Sequence, residues 1–253
     1  MIHIKTPEEI KKIRAAGKIL AATAKQILEL AQPGVKLKYL DQVAKNLIQK
    51  FGAEPAFLNY RPHGAAKPYP CSICASVNNI VVHGLPGEYK LNSGDILKLD
   101  FGVKHNGYIA DAAWTKAIGE VSSEANKLIE TTRQALYKAI KICKPGNTLG
   151  DIGYAIKNYV ESQGFKVVKE LTGHGIGKEL HEDPNVFNEG QKDRGLKLEQ
   201  GLVLAIEPMV SAGSSEIIQL KDDSYATADG SLAAHFEHTI AITTGAPEIL
   251  TID

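Results

Sequence analysis

The sequence predicts an α/β fold of two related halves whose sheets join into one curved, mainly antiparallel sheet, with helices on its outer face. Three observations carry this. The segment opening at Gln32-Pro33-Gly34 recurs at Lys144-Pro145-Gly146, offset by 112 residues. Pro33/Pro145, Gly34/Gly146, Leu37/Leu149, Lys45/Lys157, Asn46/Asn158 and Gly52/Gly164 are identical, and Leu40/Ile152 and Ile48/Val160 are similar. The parallel continues with looser spacing: His83-Gly-Leu matches His174-Gly-Ile, and Gly94-Asp-Ile-Leu-Lys-Leu-Asp100 matches Gly201-Leu-Val-Leu-Ala-Ile-Glu207. Finally, Asp111 on a returning strand has Glu237, in Phe236-Glu-His-Thr, as its counterpart. Each half reads helix, helix, strand, His-Gly, acidic strand, acidic strand. A period this long is no solenoid; it suggests a pseudo-twofold axis that brings four acidic residues together.

The elements follow from local signals. Thr6-Pro7-Glu8-Glu9 is a helix start, with Thr6 as N-cap, proline at the first helical position and Glu9 completing a capping box. Ile10, Ile13, Gly17, Leu20, Ala24, Ile27 and Leu28 keep helical spacing until Gln32-Pro33-Gly34. A second helix runs from about Lys38 to Lys50, with Gly52 as its cap. Phe57 to Cys71 reads as a loop, and Ile73 to Val82 as a strand broken by His83-Gly84-Leu85-Pro86-Gly87. Asp95–Lys104 and Tyr108–Ile118 form a hairpin about Asn106-Gly107, the dipeptide that suits a type I′ turn. A third helix spans Ser123 to Cys143. A fourth, capped by Thr148 with Asp151, ends at Gln163-Gly164. The remainder reads as β-rich: Lys166–Leu171, Leu202–Val210, and a hairpin pair of Ser214–Leu220 with His235–Thr243.

The chain has 253 residues, enough for one large domain, with halves of about 6–120 and 121–253. Lysine plus arginine (29) equals aspartate plus glutamate (29), which removes the electrostatic footprint of a nucleic-acid or acidic-membrane binder. The N-terminal residues lack the pattern of a signal peptide, and no apolar run approaches the ~20 residues of a membrane helix. Three cysteines form no disulfide framework, so a reducing cytoplasm is expected. Cys71-Ser-Ile-Cys74 with a distant Cys143 cannot complete a four-cysteine zinc site. No exposed heptad or long apolar stripe is present, so a monomer is expected.

The hairpin carries the chemistry. If Asn106 and Gly107 are the loop, His105 pairs with Tyr108 and Gly102 with Asp111. Asp100, Gly102 and Asp111 then share one face, with the two carboxylates diagonal neighbours roughly 5–8 Å apart at Cβ. Taken with the second half, the constellation is Asp100, Asp111, His174, Glu207 and Glu237. Four clustered carboxylates in a partly buried site need cations, and two divalent ions neutralise them. Bridging carboxylates allow two metals ~3.5–4 Å apart, the spacing of two-metal hydrolases. Mostly oxygen donors with one imidazole suit Mn(II), Fe(II) or Co(II) at least as well as Zn(II). Such a centre activates water as hydroxide near neutral pH, with Glu207 or a neighbour as general base. His83 and His181 become candidates for proton transfer and for polarising a scissile carbonyl.

At these residues a family comes into view. Leu171-Thr-Gly-His-Gly-Ile-Gly-Lys-Glu-Leu-His-Glu-Asp-Pro-Asn-Val-Phe-Asn188 resembles the signature of type I methionine aminopeptidases. So do the Asp100-to-Asp111 spacing, the Ala205-Ile-Glu-Pro208 turn and the Phe236-Glu-His-Thr-Ile240 strand. The resemblance implies a pita-bread fold and a dinuclear centre of Co, Mn, Fe(II) or Zn. It implies hydrolytic removal of the initiator methionine from nascent chains and peptides when the next residue is small and uncharged. By position it makes Asp100, Asp111, His174, Glu207 and Glu237 the metal ligands. It assigns His83 and His181 to substrate contact and transition-state stabilisation, and places Cys74 and Tyr60 along the methionine pocket. The implied partners are N-termini of nascent polypeptides, with transient ribosome contact as a corollary of that role.

This chain departs from the signature at Leu171, in a long Arg61–Pro70 stretch, and in lacking a tryptophan near Asp223, Ser224 and Tyr225. The rival readings are a proline-selective peptidase (prolidase or aminopeptidase P) and a metal-free peptide-binding module. The first is expected to carry an additional N-terminal domain, for which a helix beginning at Thr6 leaves no room. The second has no need of all five ligands.

Overall fold

The paired Pro-Gly segments fold alike. Gly34 and Gly146 both take positive φ, as do Gly52 and Gly164 at the ends of the helices that follow. A Cβ at any of the four would meet nothing within 4 Å, so left-handed backbone, not crowding, explains glycine at Gly52 and Gly164. The computed structural model describes residues 2–61 and 67–252, so part of the long Arg61–Pro70 stretch lies outside the described residues.

The first half contains α1 (Pro7–Leu30), α2 (Leu37–Lys50), β1 (Glu54–Pro55), β2 (Ile73–Val77), β3 (Ile80–Val82), β4 (Ile96–His105) and β5 (Tyr108–Ala117). The second contains α3 (Ser123–Ile142), α4 (Leu149–Ser162), β6 (Lys166–Val167), β7 (Thr172–Gly175), β8 (Glu182–Phe187) and β9 (Val203–Ile206). It continues with β10 (Met209–Ser211), β11 (Ile217–Gln219), β12 (Tyr225–Thr227), β13 (Ala233–His235), β14 (His238–Ala241) and β15 (Glu248–Ile249). Both expected capping boxes form, at Thr6/Glu9 and Thr148/Asp151.

The named strands pair antiparallel. The first half lays β2 beside β4 and β4 beside β5; the second lays β7 beside β9 and β9 beside β14. The two trios meet along a seam between β5 and the β13–β14 segment. Ala113 and Glu237 exchange backbone hydrogen bonds of 3.3 and 2.9 Å. On either side a threonine hydroxyl takes the place of a backbone partner. Thr239 Oγ1 accepts from Asp111 N–H (2.9 Å) and donates to Asp111 O (2.8 Å). Thr115 Oγ1 accepts from His235 N–H (2.9 Å) and donates to His235 O (2.7 Å). The result is a continuous curved surface with α1 packed behind β4 and β5, and α3 behind β5, β9, β10 and β13. Helix α1 buries Ile13, Ala16, Leu20, Ala24 and Ile27, the face its spacing predicts. Gly17 lies so close to the C-terminal segment that an added Cβ would fall 2.0 Å from Leu250 O.

Several expected strands differ. Ile73–Val82 is two strands. Asn78 turns the chain at φ +52°; its Nδ2 donates to Asp95 Oδ1 (2.9 Å) and its Oδ1 accepts from Ile96 N–H (3.0 Å), so β3 leaves β2 and pairs with β12. Leu202–Val210 is also two strands, β9 and β10, because Glu207-Pro208 interrupts the ladder where proline has no N–H. Lys166–Leu171 contracts to β6, paired with β10. The segments Ser214–Leu220 and His235–Thr243 do not form a hairpin with each other. A tight turn, with Leu220 N–H on Ser224 O at 2.8 Å and Asp223 at φ +67°, folds β11 onto β12 instead. Gly173 and Gly175 lie in β7, where added Cβ atoms would fall 2.3 and 2.1 Å from the carbonyl oxygens of Ala205 and Asp183 on neighbouring strands.

Candidate metal centre

The hairpin register is the one its turn dictates. Asn106 and Gly107 hold positive φ, His105 pairs with Tyr108, and Gly102 stands opposite Asp111. Asp100 lies opposite Ala113, so the two aspartates are diagonal neighbours on one face. Two buried carboxyls so placed cannot both carry full charge without a proton or a cation beside them. Glu237 enters from the link between β13 and β14 through its backbone exchange with Ala113, and His174 from β7, whose main chain pairs with Ala205.

Asp111, His174 and Glu237 are buried, and each offers a donor atom within 4.8 Å of the others; together they could hold a metal ion. His174 Nδ1–H donates to Gly175 O at 2.9 Å, which leaves Nε2 as a bare acceptor. That Nε2 faces Glu207 Oε1 at 3.6 Å and Asp111 Oδ2 at 3.9 Å. An acceptor nitrogen among carboxylate oxygens is the arrangement a cation repairs. Asp100 Oδ1, Asp111 Oδ1 and Glu237 Oε1 are also buried without a hydrogen-bond partner. The donor set therefore fits divalent metal.

The electrostatics agree. Burial pushes Asp100 up to about 7, with His235 opposing it and Glu207 adding to it, and burial pushes Glu207 up to about 7 while His174 opposes it. Asp111 and Glu237 are pushed well above the carboxylate range by burial and by the other acids. Of the other two candidate ligands, Glu207 lies beside His174 and Asp100 lies diagonal to Asp111.

The two other candidate histidines, His83 and His181, keep accessible surface, although protein surrounds most of each ring. His181 packs edge-on against His174, with ring centres 4.4 Å apart, and its Nδ1 lies 2.7 Å from the Tyr60 hydroxyl. His83, at φ +60°, meets Tyr225 edge-on, with ring centres 5.7 Å apart. Burial, then His235, pushes the His83 pKa down; burial, then His174 and His83, pushes that of His181 down. Cys74 is buried and paired in register with Asp100, on the same face.

Three side chains escaped the sequence reading. Tyr69 donates to both Ile73 O (3.0 Å) and Gly84 O (3.1 Å), fastening the loop that carries His83. Lys98, two residues before Asp100 on the same face, is fully buried and donates to Asn78 O at 2.6 Å. His235, 1% exposed, brings Nε2 to 3.3 Å from Glu207 Oε2. Strand alternation could have found Lys98 and His235, since each lies two residues from a predicted ligand. Tyr69 had no such signal. A cleft of about 570 Å³ lined by Trp114, Tyr137 and His238 opens on the helix side of the same strands and holds none of the predicted site residues.

A curved, pseudo-symmetric sheet holding buried carboxylates and an imidazole defines a metal-dependent hydrolase, and residues 11–244 match the family model described as Metallopeptidase family M24: the chain belongs to that family, with its pita-bread fold. It is 46% identical to "Methionine aminopeptidase 1" of Bacillus subtilis (strain 168) over 252 residues, covering 99% of each chain. Among solved structures, the methionine aminopeptidase of Thermotoga maritima superposes with a TM-score of 0.95 at 42% identity, over 100% of both chains. An Xaa-Pro dipeptidase from Bacillus anthracis gives 0.79 at 25% identity, and this chain spans 62% of it. Within family M24 the chain therefore groups with the methionine aminopeptidases and not with the proline-selective peptidases.

Proposed function

We propose that this chain is a metal-dependent aminopeptidase that hydrolyses the bond after an N-terminal methionine in nascent proteins and peptides when the second residue is small and uncharged. The observation that carries the reading is the bare Nε2 of His174 set among buried, unpartnered carboxylate oxygens at the seam of the two halves. On this reading Asp100, Asp111, His174, Glu207 and Glu237 hold two divalent ions, since two such ions offset four carboxylates. Oxygen-rich donors leave Mn(II), Fe(II), Co(II) and Zn(II) as candidates. When bound, the ions supply positive charge that brings water toward neutral ionisation and polarises a carbonyl.

The chain's own residues do the rest. Glu207, at the edge of the centre beside His174, is the carboxylate placed to accept and return a proton. The Tyr60 phenol, whose pKa is pushed up by burial and by Glu179, stays protonated and donates to His181 Nδ1. His181 then carries its own proton on Nε2, available to the scissile carbonyl oxygen. His83, fastened through Tyr69 and Gly84, contacts the substrate from the opposite side of the cleft. Cys74 and Tyr60 border the pocket for the methionine side chain, where soft, apolar surface suits a thioether.

The working unit is one catalytic domain across the chain, monomeric, in a reducing cytoplasm. Three free cysteines and the absence, among the described residues, of a helix able to cross a membrane support that placement. The test strips the protein with chelator and assays Met-Ala-Ser against Met-Leu-Ser with single metals restored. Metal-dependent cleavage confined to Met-Ala-Ser is expected. Cleavage of neither peptide, or of both equally, refutes the assignment.

A further inference from the structure

We propose that His235 is a positioning residue of the metal centre, donating its Nε2–H to Glu207 Oε2 so that Glu207 Oε1 is held toward His174 and the cation. This rests on the metal-centre reading above. The geometry begins with the backbone. His235 closes β13 at the seam, and both its N–H and its carbonyl are committed to one hydroxyl, that of Thr115, at 2.9 and 2.7 Å. The Cβ of His235 is thereby fixed relative to the strand that carries Asp111. Its side chain projects to the same face as Glu237, two residues on.

The ring ends in a buried place. His235 is 1% exposed, and its Nε2 has neither solvent nor a hydrogen-bond partner. A donor in that position is costly unless something accepts from it. Glu207 Oε2 lies 3.3 Å away, near enough that a small rotation of either group completes the bond. The other oxygen of the same carboxylate is 3.6 Å from His174 Nε2. Glu207 is thus clasped between two imidazoles, one per oxygen, with different tasks. His174 presents an acceptor, its proton being spent on Gly175. His235 presents a donor, which leaves one carboxylate oxygen for the ion and restrains the other. Outer partners of this kind commonly contribute 10–100-fold to metal affinity.

The test compares wild type with His235→Gln, His235→Asn and His235→Ala. Each is stripped of metal, checked by thermal melting, and titrated with Co(II) by calorimetry and visible absorption. Glutamine can reach Glu207 with its amide N–H, while asparagine and alanine fall short. Expected is Co(II) affinity within about threefold of wild type for His235→Gln, with roughly 10–100-fold weakening and an altered d–d spectrum for the other two. If His235→Ala does not fold, the Gln–Asn contrast decides. In Zn(II)-loaded wild type with ¹⁵N-histidine, the His235 Nε2 resonance should show an attached proton. Wild-type affinity and spectrum in all three variants overturn the proposal, and so does an Nε2 bound to zinc. Asp111→Asn separates the two levels. If it binds Co(II) as wild type does, the metal-centre reading falls and His235 with it. If it loses binding while the His235 variants do not, only the role of His235 falls.

Discussion

Loading the metal-free protein with divalent cation should expel protons, and the number should fall as pH rises. Asp100 and Glu207 are each pushed up to about 7, burial being the first cause in both. A carboxylate must be ionised to bind metal. Two groups near 7 hold together about 1.8 protons at pH 6, about one at pH 7 and about 0.2 at pH 8. Asp111 and Glu237, pushed well up, add protons of their own. His235, held down to about 4 by burial, is already neutral and releases none in this window. The sign follows: folded-state carboxylate pKa values above their ordinary range make protons compete with the cation, so apparent metal affinity climbs from pH 6 to pH 8. Calorimetric titration with Mn(II) or Co(II) in buffers of different ionisation enthalpy gives the proton count directly. A decrease of about 1.6 protons between pH 6 and pH 8 is expected from this pair. Zero release at pH 7, or release that grows with pH, would mean that the four acids are not clustered as described.

Three other outcomes follow from the same geometry. His83→Ala should fold and take up metal as wild type does while kcat drops by roughly 10²–10⁴, the usual worth of a positioned acid–base group; unchanged kcat removes its role. Tyr60→Phe deletes the hydroxyl 2.7 Å from His181 Nδ1, and at about 1 kcal/mol for a net hydrogen bond the loss in kcat/KM should be about fivefold, with metal binding untouched. Gly17→Ala places a Cβ 2.0 Å from Leu250 O and should cost about 1–3 kcal/mol, read as a Tm lowered by roughly 2–4 °C per kcal/mol in a thermal melt of the metal-free protein.

The parts of this molecule that could be read from sequence are those set by local chemistry. Asn106-Gly107 fixes its own turn, and a turn fixes the register of both strands, so the diagonal placement of Asp100 and Asp111 followed from counting residues. The capping boxes at Thr6 and Thr148 are equally local. The second half was less legible because its strands are short and their partners distant. Strand β10 takes β13 and β6, and β14 takes β9 and β15, pairings that no turn dictates. The turn at Asp222–Asp223 sent β11 to β12, against the expectation that Ser214–Leu220 would pair with His235–Thr243. Among candidate site residues, the four acids stood out because the duplication pairs Asp100 with Glu207 and Asp111 with Glu237. His235 has no counterpart in that pattern, and it surfaced only where the structure brought its ring against Glu207.

The seam explains why mutually repelling acids can be assembled at all. Asp111 and Glu237 are brought together by their main chains, through reciprocal hydrogen bonds to Thr239 and Ala113, and not by any attraction between side chains. Behind them, α1 and α3 bury the apolar face of the same strands, so folding free energy gathered across the core is available to oppose local repulsion at one point. Each half alone offers two carboxylates. Only the join across the seam adds the second pair and the His174 imidazole, and with them a donor set that fits divalent metal. The unpartnered oxygens of Asp100, Asp111 and Glu237 are then the physical residue of that construction: a polar cavity stabilised from behind and left unsatisfied in front, where a cation completes it.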